Sequence, residues 1–236
     1  MIPIVFTAAA DPLGGGLVAS LAQPGGNVTG LSLQFTDVAG KRLELLREAV
    51  PRLDRLAIMA NLSYRAAALE MAEVDGIARR LGLEVTTSPI RGTQDIAPAI
   101  AALKHRADAL YVCGDPLVAT NQIHINSLAL NARLATMHGV GEFVKAGGLM
   151  SYGANFTDLW RRGADYVDKI LRGAKPGDIP VEQPTKFDLV INLTIAVSSA
   201  VAVRSSSTNV GNLSRLRPAM RCPRAMFPAR TSRPAV

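Results

Sequence analysis

The sequence lacks any run of eighteen consecutive apolar residues, about the shortest length that crosses a bilayer as a helix. It has two cysteines, Cys113 in an apolar segment and Cys222 in a polar one, which argues against a disulfide framework. The three histidines, His105, His124 and His138, do not show the spacing of metal ligands. We therefore predict no membrane span, no disulfide framework and no metal site.

Lysine, aspartate and glutamate are absent from residues 197–236, which contain seven arginines. Removing these seven from the 26 basic residues of the chain leaves 19, equal to the number of acidic residues. The net charge of +7 therefore belongs to this segment, which is rich in serine, proline and alanine and has no regular periodicity. We predict a disordered basic tail, and its abrupt composition is typical of a shifted reading frame.

Two other interpretations of this tail stay open: a solvated terminal extension, and a basic arm that binds RNA or a membrane surface. An RNA-binding arm needs aromatic side chains that stack on bases, and Phe227 is the only aromatic residue in the tail. We therefore predict no nucleic-acid partner.

Sequence signatures of catalysis and of cofactor binding are also absent. Gly14, Gly15 and Gly16 follow a predicted strand, but neither GxGxxG nor GxxxxGK[ST] is present, so we predict a turn. No serine or cysteine lies in a recognisable nucleophile motif with a partner base. The sequence predicts a protein that is not an enzyme, with no catalytic residues and no cofactor.

Predicted strands and helices alternate through the body of the chain. Apolar strands at 55–60 and 107–112 are separated by segments with apolar residues every three or four positions. This alternation predicts an α/β fold with right-handed crossovers and a parallel sheet covered by helices on both faces. We expect residues 32–148 to form one complete lobe, and residues 1–31 and 149–196 to form part of another.

Polar side chains occur at the ends of the predicted strands, at the edge where open α/β sheets bind ligands. The candidate ligand-binding residues are Asp11, Thr29, Asn61, Asp115, Glu142 and Tyr152. Asp11 or Asp115 can pair with a ligand ammonium group, and Tyr152 can stack on a flat apolar group. Asp11, Asn61 and Asp115 are equally suited to turns and helix caps, but their recurrence at several strand ends favours a cleft.

Four long segments of the chain, spread over about residues 2–195, are distinctive. They are IPIVFTAAADPLGGGLVASLAQPGGNVTGLS, KRLELLREAVPRLDRLAIMANLSY, ADALYVCGDPLV and GVGEFVKAGGLMSYGANFTDLWRRGADYVDKILRGAKPGDIPVEQPTKFDLVINL. In this order they resemble the tryptophan/tyrosine-type family of ABC transporter substrate-binding proteins. The resemblance implies a periplasmic-binding-protein type I fold, in which two Rossmann-like lobes, joined by crossing strands, close on a solute.

The resemblance also implies a function. It implies a non-catalytic solute-binding component of an ABC importer in the periplasm, with a small molecule such as an amino acid as ligand. The membrane permease subunits of the transporter would be its protein partners. The same six candidate residues are the positions that the resemblance assigns to the cleft.

The sequence departs from the family pattern at both ends. Family members have an export signal and several strand–helix units ahead of the segment that opens this sequence, so we expect an incomplete first lobe and a truncated copy. After about Thr194 the sequence no longer follows the family. Two alternatives stay open: a ligand-sensing regulatory domain of the same fold, which needs a DNA-binding helix-turn-helix, and a small Rossmann-like enzyme.

Overall fold

A computed structural model of the protein describes residues 1–198. The strands in this range are β1 Ile4–Ala9, β2 Val28–Ser32, β3 Arg55–Asn61, β4 Glu84–Ile90, β5 Ala109–Val112, β6 Ala135–His138, β7 Met150–Ala154 and β8 Phe187–Ile191. The α-helices are α1 Ala39–Ala49, α2 Arg65–Arg80, α3 Thr93–Leu103, α4 Pro116–Thr120, α5 Gln122–Asn131, α6 Gly141–Lys145, α7 Phe156–Leu171 and α8 Leu193–Ser198. All but the first two residues of the predicted tail, 197–236, lie outside the described residues.

The larger sheet has six strands in the order β4-β3-β5-β6-β7-β8. Its first five strands run parallel, and β8 is antiparallel to β7. Strands β5 and β6 are buried at every position, because βαβ crossovers cover both faces of a parallel sheet with helices. The carboxyl ends of the five parallel strands consequently lie along one edge of the sheet.

Alternate residues of β3 divide the core into two clusters, as the two-residue repeat of a strand requires. Leu56 and Ile58 pack in a cluster with the buried faces of α1 and α2. Ala57 and Met59 pack on the opposite face, in a cluster with residues of α3 and α5. Strand β3 is therefore central to both halves of the core.

The smaller sheet contains β1 and β2, which pair in parallel. Helix α7 packs on β1 with Gly163 at the contact, where a Cβ atom would overlap the side chain of Thr7. The hydroxyl of Tyr166, also on α7, donates a 2.7 Å hydrogen bond to the Pro180 carbonyl. The apolar side chain of Ile2, just before β1, is 82% exposed, which leaves an apolar surface at the start of this sheet.

The predicted division of the chain at residue 149 is wrong for two strands. Strand β7 hydrogen-bonds to β6 and strand β8 pairs with β7, so both extend the larger sheet rather than the smaller one. The segment between them contacts the smaller sheet through α7 and through residues 179–182, where the Ile179 carbonyl accepts a hydrogen bond from Thr29 and Glu182 forms a bridge with Leu31. Strand pairing is a long-range interaction, and the spacing of elements along the chain does not specify it.

The chain between β5 and β6 forms two helices, α4 and α5, which are divided at Asn121. Side-chain hydrogen bonds compete with the helical pattern at this point. The Asn121 side-chain amide donates to the Leu117 carbonyl at 2.8 Å, and the Thr120 hydroxyl donates to the same carbonyl at 3.0 Å. None of the helices in residues 1–198 is both long and apolar enough to cross a membrane.

His138 is a buried histidine at the end of β6, and its ring stacks on Phe143 of α6 with 4.9 Å between centroids. Neither ring nitrogen has a hydrogen-bond partner among the described residues. Burial lowers the pKa of His138 from 6.5 to about 3, and the positive charge of the buried Arg42 contributes in the same direction. The imidazole is therefore neutral in the folded protein over the whole physiological range.

We expect His138 to make the protein sensitive to acid. Its folded pKa lies below its unfolded pKa, so its full contribution to stability is present above pH 6.5 and is lost as pH falls toward about 3. At pH 4.5 the loss is about 3 kcal/mol. The variant His138→Phe keeps a ring against Phe143 and cannot be protonated.

Urea unfolding at pH 7 and pH 4.5 tests this expectation. The free energy of unfolding of the wild type should fall by about 3 kcal/mol more than that of His138→Phe between the two pH values. The acidic residues titrate in both proteins, so the comparison isolates the histidine. An equal pH dependence in the two proteins would show that His138 is solvated in the folded state.

Candidate functional site

Asp115 follows β5 at the edge where the parallel strands end, and it is only 8% exposed. Its Oδ1 atom accepts a 2.8 Å hydrogen bond from the backbone amide of Val118 and so caps α4. Its Oδ2 atom is buried and has no hydrogen-bond partner among the described residues. Asp115 is therefore a helix cap, as its residue type allows, and it also retains one unused buried acceptor.

Burial raises the pKa of the Asp115 carboxyl above its usual value. The backbone amides of Val118 and Leu117 and the side chain of Asn61 oppose this effect without cancelling it. Asn61 ends the neighbouring strand β3, and its Oδ1 atom accepts a hydrogen bond from the Ser63 amide at 3.0 Å. The ends of β3 and β5 therefore bring two of the sequence candidates together.

Asp11 follows the end of β1 and lines a cavity of about 400 Å³. Its Oδ1 atom accepts a 2.8 Å hydrogen bond from the Gly14 amide, and its carbonyl accepts one from Gly15. Gly16, which follows, has a φ of +74°, a backbone conformation that favours glycine. The glycine trio therefore forms a turn, as predicted.

The other residues that line the cavity are Ala10, Pro12, Leu13, Gly14, Leu21, Ser32, Gln34, Thr36, Asp37 and Gln183.

Tyr64 lies within electrostatic range of both carboxylates, Asp115 and Asp11. Burial raises the pKa of its hydroxyl, and the negative charges of Asp115 and Asp11 raise it further, which places all three groups within electrostatic range. A Cβ atom at Gly14 would lie 2.9 Å from Cδ1 of Leu69, so the turn after β1 contacts α2. We refer to Asp11, Asn61, Tyr64 and Asp115 as the strand-end cluster.

Tyr64 is not among the ligand-binding residues predicted from the sequence. Its position in the sequence could have indicated it, because Tyr64 comes three residues after Asn61 and immediately before α2. An aromatic residue at the start of a helix that follows a strand end lies close to any ligand at that edge. Its role is visible only when the turn after β1 is packed against α2.

The three remaining candidates lie outside this cluster. Glu142 pairs with Lys145 at 3.4 Å on α6, and both side chains are more than half exposed. The Tyr152 ring stacks on Phe187 of β8, with 5.7 Å between centroids. Thr29 of β2 is fully buried, and its hydroxyl donates a 2.7 Å hydrogen bond to the Ile179 carbonyl.

A buried ion pair that sequence reasoning missed lies beneath the strand ends. Nη1 of Arg42 in α1 lies 2.8 Å from Oε1 of Glu70 in α2, and the side chains are 0% and 1% exposed. The Tyr111 hydroxyl of β5 accepts from Arg42 at 2.9 Å and donates to Glu70 at 2.8 Å. Burial raises the pKa of Glu70, while the Arg42 charge and the Tyr111 hydroxyl favour its ionised form.

The same pair also forms hydrogen bonds to backbone groups of three other segments. The Arg42 guanidinium donates to the carbonyl of Tyr152 at 2.7 Å and to the carbonyl of Phe35 at 3.0 Å. Oε2 of Glu70 accepts from the amide of Gly114 at 3.1 Å. Among residues 1–198 there is no group of three or more His, Cys, Asp or Glu side chains that could hold a metal ion.

We expect the Thr29 hydroxyl to stabilise the fold. Thr29→Val keeps the shape of the side chain and leaves the buried Ile179 carbonyl unpaired, which should lower the free energy of unfolding by about 1–2 kcal/mol. Thr87→Val, at an exposed position of β4, is the matched control and should have little effect. Urea unfolding measures both. Unchanged stability in Thr29→Val would indicate a hydroxyl that is available to a ligand.

Comparison with known proteins gives a consistent result. The family model described as ABC transporter substrate binding protein matches residues 1–208. A tyrosine-binding protein from Clostridioides difficile strain R20291 is 28% identical over 191 residues, which are 81% of this chain and 55% of that protein. The chain thus spans about half the length of this curated relative.

Two solved structures differ in how well they match. The ABC domain in complex with L-Trp from Streptococcus pneumonia is 28% identical, with a TM-score of 0.79 over 86% of this chain and 69% of that one. A ligand-free, open substrate-binding protein with adhesive properties from Clostridium difficile is 27% identical, with a TM-score of 0.64 over 86% and 68%. The predicted periplasmic-binding-protein-like α/β fold is confirmed, and the TM-score is higher with the ligand-bound protein than with the open one.

Proposed function

The chain belongs to the family of ABC transporter substrate-binding proteins, and from this premise we propose that it is the solute-binding component of an ABC importer. We propose an amino acid with an aromatic side chain as the solute, held at the strand-end cluster. The observation that carries this proposal is the buried Oδ2 atom of Asp115, which has no hydrogen-bond partner within residues 1–198.

The charge of the cluster favours a ligand with an ammonium group. Asp115 and Asp11 are both acidic and both within electrostatic range of Tyr64, so they place negative potential at one point. A buried carboxylate oxygen without a partner is costly, and a charge-assisted hydrogen bond from an ammonium group would remove that cost. Binding would also lower the raised pKa of Asp115, because the cation favours its ionised form.

The relatives support the remaining features of the ligand. One is a tyrosine-binding protein, and another was solved in complex with L-Trp. The ring of Tyr64 offers a face on which an aromatic side chain can stack. We therefore propose Asp115, with Asp11 and Asn61, as the polar contacts of the solute and Tyr64 as an aromatic one.

Closure of the cleft would create the surface that the permease subunits of the transporter bind. The contact between the turn at Gly14 and Leu69 of α2, together with the greater likeness to the ligand-bound relative, supports a closed arrangement. We propose membrane permease subunits of the transporter as the partner and the periplasm as the compartment. The role is binding rather than catalysis, as in the family.

The variant Asp115→Asn tests the proposal. Asparagine caps a helix as well as aspartate does, so α4 should remain intact while the negative charge is removed. Isothermal titration calorimetry on the full chain should detect binding of L-tryptophan or L-tyrosine, and the variant should bind at least about 30-fold more weakly, a loss of about 2 kcal/mol or more.

The matched control is Asp75→Asn, which removes one carboxylate from α2 where it pairs with Arg79. This variant should bind as the wild type does. Equal weakening in both variants would assign the effect to net charge rather than to a contact with Asp115. The absence of binding of either amino acid to the wild type would remove the proposed ligand class.

A further inference from the structure

The buried pair of Arg42 and Glu70 joins segments of the chain that are distant in sequence. Tyr152 lies on β7, Gly114 lies between β5 and the α4 cap Asp115, and Phe35 lies in the segment 33–37. This segment, which we call the crossing segment, connects β2 of the smaller sheet with α1 of the larger one. One ion pair therefore contacts the crossing segment, strand β7 and the end of β5 at the same time.

Stability alone does not account for this pair. The free-energy cost of removing two charges from water is about as large as the gain from their mutual attraction. Apolar side chains of similar volume therefore often stabilise a protein equally well. Apolar side chains cannot bind the carbonyls of Phe35 and Tyr152 or the amide of Gly114. What the pair alone provides is a fixed position for these backbone groups.

The ring of Phe35 adds a second connection between the same parts. The guanidinium carbon of Arg42 lies 4.9 Å from the centre of this ring. The ring also lies against Gly114 and Gly139, where Cβ atoms would overlap it or come within 3.1 Å of it. The crossing segment is therefore packed on the ends of β5 and β6 as well as bonded to Arg42.

We propose that Arg42 and Glu70 are positioning residues of the solute cleft. Through Gly114 they hold Asp115, and through Phe35 they hold the crossing segment in the arrangement that brings the two sheets together around a solute. Direct contact with a solute is not part of this role, because both side chains are inaccessible. The part of this inference that concerns affinity rests on the proposed function, whereas the part that concerns order in the chain does not.

The test replaces the pair and compares the result with a variant that leaves the backbone contacts in place. The double variant Arg42→Met and Glu70→Leu removes both charges and keeps a filled core. Tyr111→Phe is the matched control, because its hydroxyl bonds only to Arg42 and Glu70 and to none of the three backbone groups. Arg42→Lys, which keeps the charge and loses the planar fork, takes the place of the double variant if that variant does not fold.

Hydrogen–deuterium exchange on the full chain is the first measurement. In the double variant, exchange should rise about tenfold or more in residues 33–37, 113–116 and 150–154, with strands β3 and β4 unchanged. Tyr111→Phe should leave all of these segments as they are in the wild type. A uniform rise over the whole chain, or no rise in the three segments, would overturn the positioning role.

Affinity for L-tryptophan and L-tyrosine is the second measurement. The double variant should bind about tenfold or more weakly, and Tyr111→Phe should bind within about twofold of the wild type. Wild-type affinity in a double variant that shows the local rise in exchange would overturn the link to the cleft. If the wild type binds neither amino acid, the proposed ligand class fails, and the exchange measurement still decides the positioning role.

Discussion

The burial of both faces of the parallel sheet is the constraint on which the rest of the structure depends. Strands β5 and β6 carry no exposed residue, because helices cover the sheet on each side. Because the strands buried in this way run parallel, they all end at one edge. The polar residues that follow the strands, Asn61 and Asp115 among them, meet at this edge because the apolar strands before them are fixed in the core.

Charged and polar side chains near this edge are removed from water in three different ways. Arg42 and Glu70 compensate each other and bind backbone groups. His138 has no partner among the described residues and is held neutral. Asp115 uses one oxygen to cap a helix, and its other oxygen has no hydrogen-bond partner in the part of the chain that the structure describes. The last arrangement leaves a carboxylate oxygen, the acceptor that can pair with an ammonium group, which is why the proposed solute contact lies there rather than at the ion pair.

The fold was largely predictable because periodicity is a local property. Apolar runs and helical repeats predicted most of the elements, and strand-end reasoning selected Asn61 and Asp115, which the structure brings together. The same reasoning selected Thr29, whose hydroxyl is bonded to the Ile179 carbonyl. The predicted division at residue 149 placed the segment that forms β7 in the partial lobe, whereas β7 pairs with β6. Pairing partners and the direction of a side chain depend on residues far away in the chain.

The sequence by itself determined the α/β class, the family and the edge at which a ligand is expected. Arg42 shows what it could not determine, since an arginine in the helical repeat of α1 is ordinarily expected to face solvent. Its partners Glu70, Tyr111 and Tyr152 are 28, 69 and 110 residues away. Only the tertiary structure brings them around one guanidinium, because burial of a charge depends on which elements pack over it and not on its neighbours in sequence.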